Sequence, residues 1–127
     1  MKSIRITLLT LLVLVVSGNV FAAPTPKKGN AIVLGKRGGK VQIIVRQLDG
    51  NNLGDLPFKP AYKAEIAAGK HRIQAFCIEK ESWGQAMGPA DEIVQEFLDG
   101  YVYQLELAGK RDRNYIVTAK VVSSPMR

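Results

Sequence analysis

The chain has 127 residues, with 18 Lys and Arg against 11 Asp and Glu, a net charge of +7, one cysteine and one histidine. One cysteine excludes an internal disulfide, and one histidine with one cysteine excludes the usual zinc sets. The length allows one domain with a modest core, held by packing alone.

The first residues read as an export signal. Lys2 and Arg5 precede the apolar run "ITLLTLLVLVV", and Val20 and Ala22 stand at the −3 and −1 positions of a cut before Ala23. A basic start, a short apolar run and a small-residue exit describe a secretory signal peptide over residues 1–22. The competing reading is an uncleaved anchor from Ile6 to Ala23. The core of the run is short of the about 20 apolar residues that a spanning helix needs, and Ser17, Gly18 and Asn19 weaken a longer one. No second apolar run follows, so no membrane span is expected after cleavage, and the expected location is periplasmic or extracellular. Removing Lys2 and Arg5 leaves 16 cations against 11 acids, net +5.

Residues 23–30, "APTPKKGN", read as a flexible leader. Residues 31–127 then alternate short apolar stretches with turn signals, as one domain. "AIVLG" ends at "KRGGK". "KVQIIVRQLDG" sets Val41, Ile43 and Val45 against Gln42, Ile44 and Arg46, and "AYKAEIAAGK" sets Tyr62, Ala64 and Ile66 against Lys63 and Glu65. "HRIQAFCIE", "YVYQLELAGK" and "NYIVTAKVVS" complete the series. Period-2 runs rich in Val, Ile and Tyr, separated by Gly, Asp and Asn, predict an all-β chain. Six or seven strands of this length predict a sandwich or small barrel, of which the antiparallel β-sandwich is preferred. "GPADEIVQEFLDG" (88–100) has helix signals in Pro89, Asp91, Glu92 and Gly100. A strand paired to Tyr101–Leu107 through Asp99-Gly100 is preferred, because that strand otherwise lacks its nearest partner.

The one stretch that collects reactive side chains is "AAGKHRIQAFC", residues 67–77. Gly69 suits a turn, and the strand after it points His71, Ile73, Ala75 and Cys77 to one face. His71 and Cys77 then lie about 20 Å apart at 3.3 Å per residue, too far for a Cys–His dyad. Cys77 is expected buried and unreactive. "DGNNLGD" has Asp49, Asn51 and Asp55 but lacks the closing Glu of a calcium loop. "GKRGGK" lacks the spacing of a phosphate loop. Glu79 and Glu81, two apart on a strand, are expected to face solvent. No cofactor, metal or catalytic set is legible, so the chain reads as a non-enzyme.

"VQIIVRQLDGNNLGDLP" followed by "EIAAGKHRIQAF" resembles PEGA-type modules, small extracytoplasmic β domains. Their strand ending in Asp-Gly, link with Gly and Pro, and Gly-x-His turn fall here on Asp49-Gly50, Leu53-Gly54, Pro57 and Gly69-Lys70-His71. The resemblance covers Val41 to Ile78. The closing Gly-Tyr of the pattern is replaced by "KESWGQAMGP". The resemblance implies a β-sandwich that binds or scaffolds, and it carries over no catalytic residue.

Lys36, Arg37 and Lys40, with Lys27 and Lys28 nearby, are candidates for an anion patch, and "KRDR" (110–113) forms a second basic group. Tyr101 and Tyr103 share a strand face, which suits cross-strand packing better than base stacking, and no nucleic-acid partner is expected. Trp83 and Met87 interrupt the strand rhythm. Trp83 is expected to plug an open edge of the sandwich, with contact to a partner as the alternative. The leading functional expectation is an exported module binding a protein or envelope partner. The alternatives are a binder of anionic polymer (cell wall, lipopolysaccharide or nucleic acid) acting through its basic loops, and a hydrolase using His71. Oligomeric state is left open.

Overall fold

The computed structural model describes residues 24–54, 59–112 and 114–125. The expected signal peptide and its expected cut, Asp55, Pro57 and Arg113 lie outside the described residues. Nine strands and no helix are found among the described residues, in two packed sheets. In chain order they are β1 (Asn30–Leu34), β2 (Val41–Leu48), β3 (Asn51–Asn52), β4 (Lys63–Ala67), β5 (Gly69–Glu81), β6 (Gly84–Pro89), β7 (Ile93–Phe97), β8 (Val102–Arg111) and β9 (Asn114–Ser123). The first sheet runs β9-β8-β1-β4. In the second, β3-β2-β5 continues on the far side of β5 as β6 and β7. The fold is the expected all-β sandwich, with two refinements. The strands number nine, and β1 pairs with β8 in parallel, through Ile32↔Val102 to Leu34↔Gln104.

The alternation of the sequence sets the faces. Ala31 and Val33 of β1, Ala64 and Ile66 of β4, Tyr103 and Leu105 of β8, and Tyr115 and Val117 of β9 turn inward from the first sheet. Ile43 and Val45, then Ile73, Ala75 and Cys77, then Phe97 meet them from the second. Phe97 packs edge-on against Tyr103, with centroids 4.9 Å apart and planes at 79°. That geometry is the favoured one for two aromatic rings. Tyr103 is thereby spent on the core rather than on a stacking platform. A second small buried group, Ile32, Leu34 and Val102, lies on the other face of the first sheet.

Two corners join the sheets. At one, β1 leaves its sheet at Gly35, whose N–H donates to the Tyr62 carbonyl at 2.8 Å, and Lys36 pairs with Ile43 of β2. A Cβ on Gly35 would run into the Ile43 carbonyl oxygen, so the corner requires glycine. At the other, Ala90 donates to Ala75 of the second sheet while Asp91 donates to Tyr115 of the first.

The segment 88–100 holds the strand β7, as preferred, but not its expected partner. β7 pairs with β5, from Gly69↔Phe97 to Ile73↔Ile93. Asp99-Gly100 hands the chain to the opposite sheet instead of folding it back. Gly100 donates to the Asn30 carbonyl at 2.8 Å and Tyr101 accepts from Ile32 at 3.0 Å, so β8 is laid beside β1. The segment "KESWGQAMGP" is a hairpin rather than a plug. β5 and β6 pair from Phe76↔Pro89 to Glu81↔Gly84, leaving Ser82 and Trp83 as the two-residue loop. From Lys27 on, the leader is held: Lys27 donates to Glu65 and Gly29 to Asp99, both at 2.9 Å.

Candidate functional site

The β5–β6 hairpin carries Trp83 at its tip with 85% of its surface exposed, and Met87 on its second strand at 63%. The plug reading of Trp83 is therefore overturned. A two-residue loop at the end of a hairpin points away from the core, and among the described residues no element reaches over it.

The register extends this apolar surface across the sheet. Met87 lies opposite Ile78, and Ile78 opposite Gln42. One row further on, Pro89 lies opposite Phe76, and Phe76 opposite Ile44. Directly paired residues share a face. Because Ile43, Ala75 and Cys77 face inward, these rows form the outer face of the second sheet. Ile78 and Phe76 are half-buried there, and Ile44 is fully buried. Met87, Ile78, Phe76 and Pro89 thus form one apolar strip on the outer face, separated from Trp83 at the tip by the polar row Lys80↔Gln85. Val94 continues the outer face, half-exposed, across from Arg72. The Arg46 guanidinium sits 5.3 Å from the Phe76 ring centre and borders the strip with a cation. Ile78, Phe76 and Pro89 were not singled out from the sequence. Their signal was the alternation of "HRIQAFCIE", which puts large apolar residues on both faces of one strand.

The three basic candidates separate. Lys36 and Arg37 line a shallow hollow of about 640 Å³ with Tyr62, Gln104, Glu106 and Val122. There the Arg37 guanidinium lies 4.5 Å from the Tyr62 ring centre. Lys40 instead lines a cleft of about 330 Å³ beneath the hairpin tip, with Glu79, Lys80, Glu81, Ser82 and Trp83. Sequence proximity joined them, but the crossing from β1 to β2 parts them. Acids border both hollows. The second basic group is engaged by acids at the surface: Lys110 Nζ lies 2.9 Å from Glu79 Oε1, and Arg111 pairs with Asp91 at 3.8 Å.

Glu79 corrects another expectation. It belongs to the inward face of β5, where it accepts from Lys110 and from the Tyr115 hydroxyl at 3.0 Å. Those bonds, Lys110 first, hold its carboxyl below the usual range. The Tyr115 hydroxyl is pushed up by burial and then by its bond to Glu79.

The reactive side chains of the 67–77 stretch are engaged within the fold. Cys77 is fully buried, and burial, with Glu79 nearby, pushes its thiol up to about 11. His71 Nδ1 lies 2.6 Å from Asp49 Oδ2, and its Nε2 lies 2.6 Å from the Ala67 carbonyl. Both partners are acceptors, so only the doubly protonated ring satisfies both. The Asp49 bond leads in raising the His71 pKa, with partial burial opposing it. Asp49 also accepts from the Arg72 N–H at 2.9 Å, and this bond, ahead of that to His71, lowers its pKa. Asp49 (φ 51°) and Gly50 (φ 85°) form the two-residue loop between β2 and β3. The two positive φ values are those of the turn that suits strand twist. The Asp-Gly turn and the start of β5, where the expected Gly-Lys-His turn is already strand, are clipped together by this pair.

No group of three or more His, Cys, Asp and Glu able to hold a metal is present among the described residues. Comparison with family models, curated proteins and solved structures finds no match.

Proposed function

We propose that the protein is an exported, non-enzymatic binding module that docks on a protein partner of the cell envelope through Trp83, Met87 and the apolar strip beneath them. The observation that carries this reading is the exposure of Trp83 and Met87 on a hairpin whose outer face continues into Ile78 and Phe76. Apolar surface left in water is unfavourable, at roughly 25 cal/mol per Å². Exposed apolar patches rimmed by polar residues mark interaction sites more often than isolated apolar residues do. Tryptophan and methionine are also enriched at interfaces, and Trp dominates their energetics.

The chemistry of the remaining candidates supports a binding role. A general base needs a free ring nitrogen, and both nitrogens of His71 bond within the fold. A nucleophilic cysteine needs access and a lowered pKa, and Cys77 has neither. The resemblance to PEGA-type modules agrees with a scaffold of this kind, and the Asp49–His71 pair joins two of the segments on which it rests.

The test is retention of an envelope partner on the immobilised protein. Trp83→Ala with Met87→Ala should abolish retention and leave folding unchanged, while Lys36→Ala with Arg37→Ala should retain it. The reverse pattern, with retention lost in moderate salt, would support the anionic-polymer reading instead.

A further inference from the structure

The strand β9 ends the first sheet, and among the described residues no strand lies on its outer side past Tyr115. The Tyr115 carbonyl faces that outer side, because it accepts the Asp91 N–H at 2.9 Å. The ladder to β8 shifts twice: between Ile116↔Gly109 and Val117↔Leu107, where the extra residue is Ala108 of β8, and between Val121↔Tyr103 and Ser123↔Val102, where it is Val122 of β9. β9 keeps its alternation through the first shift, as far as Val121. Val117, Ala119 and Val121 therefore also turn their N–H and C=O groups outward.

Edges of this kind are normally guarded by charge, proline or shortness. The opposite edge of the same sheet, β4, is five residues long and presents Lys63 and Glu65. The β3 edge of the second sheet is two residues long. From Ile116 to Val121, before the irregularity at Val122, β9 has no proline and one charge, Lys120. Val121 and Val122 are each 46% exposed there.

We propose that β9 pairs antiparallel with β9 of a second copy about a two-fold axis at Ala119, joining the two four-stranded sheets into one. In that register Ala119 faces Ala119, and Val117 faces Val121 of the second copy twice. All three pairings join outward-facing groups, giving about six hydrogen bonds between the chains. The half-exposed Val121 gains Val117 of the second copy as its direct neighbour on the core side of the sheet. On the outer side Thr118 meets Lys120. Thr118 is itself paired with Glu106 of β8. Each row therefore runs Glu106, Thr118, then Lys120 of the second copy, which sets an acid on the same row as the lysine. This self-complementarity in shape, hydrogen bonding and charge selects a second copy as the occupant of the edge. The closed two-fold leaves Trp83, on the other sheet, free to bind.

The test needs no partner: the mass of the purified protein in the form its cell retains is followed by light scattering over a concentration series. The wild type should rise from the monomer mass toward twice that value. Thr118→Lys, at an exposed position, sets an ammonium group opposite Lys120 of the second copy in each of the two rows and should weaken association at least tenfold. Thr118→Glu should strengthen it. Ala119→Pro removes the donor at the axis and should leave a monomer with the wild-type circular dichroism spectrum. If Ala119→Pro fails to fold, the Thr118 pair decides alone. A wild type that stays monomeric at every concentration overturns the proposal, and so does a dimer unaffected by both Thr118 substitutions.

Discussion

Phe97→Ala is the most informative change to the fold. Phe97 is fully buried at the end of β7, opposite Gly69 of β5, with Tyr103 edge-on at 4.9 Å and the His71 ring at 6.3 Å. It is the largest fully buried side chain among the described residues. Truncation loses its transfer free energy and opens a cavity between two sheets, which can collapse only if the strands move. Such a change costs about 3–5 kcal/mol. A domain of this size is stable by about 5–15 kcal/mol, so the variant should lie near the threshold of folding. The melting temperature should fall by at least about 12 °C, at roughly 4 °C per kcal/mol. The assay is urea unfolding followed by circular dichroism, with thermal melts alongside. A fall in midpoint at constant slope is expected. A loss below about 1 kcal/mol would refute the placement of Phe97 in the core, and with it the pairing of β7 to β5.

Cys77, with its thiol pushed up to about 11 by burial, should resist thiol reagents at neutral pH until denaturant is added; rapid labelling of the native protein would contradict this. The Asp49–His71 clip should make stability depend on pH in a defined sense. Raised in the fold from 6.5, His71 contributes below that value and loses its contribution as pH rises through its folded pKa. Lowered from 3.8, Asp49 contributes above that value and loses its contribution as pH falls through its own. The clip is thus strongest between about pH 4 and 6.5, and His71→Ala should flatten the stability profile on the alkaline side of that window. Gly35→Ala should destabilise by more than an ordinary surface change, which stays within about 0.5 kcal/mol, because its Cβ meets the Ile43 carbonyl; equal midpoints in urea would contradict it.

The strands were legible wherever alternation was clean. β2, β4, β5, β8 and β9 follow it, and the inward positions of Ile43, Ile73, Ala75 and Cys77 are those their period dictates. Pairing was less legible. Asp99-Gly100 specifies a local turn, and nothing in two residues says whether the chain returns to its own sheet or crosses to the other. The β5–β6 hairpin was hidden because its loop is Ser82-Trp83, which lacks the Asn-Gly or Asp-Gly signal. Trp83 was misplaced by the general burial of tryptophan, which a hairpin tip overrides. Glu79 and Lys110 lie on strands distant in sequence, and their meeting depends on the sandwich closing. Lys36, Arg37 and Lys40 show the converse: neighbours in sequence are parted when the chain crosses between sheets.

Trp83 is the one tryptophan in the chain, so its fluorescence reports on the proposed surface without interference. The most direct measurement is acrylamide quenching of that fluorescence in the free protein and after addition of the retained envelope partner. The account predicts red-shifted, readily quenched emission in the free protein, and a blue shift with protection from quencher on binding. Emission already blue-shifted and protected in the free protein, or unchanged at saturating partner, would contradict it.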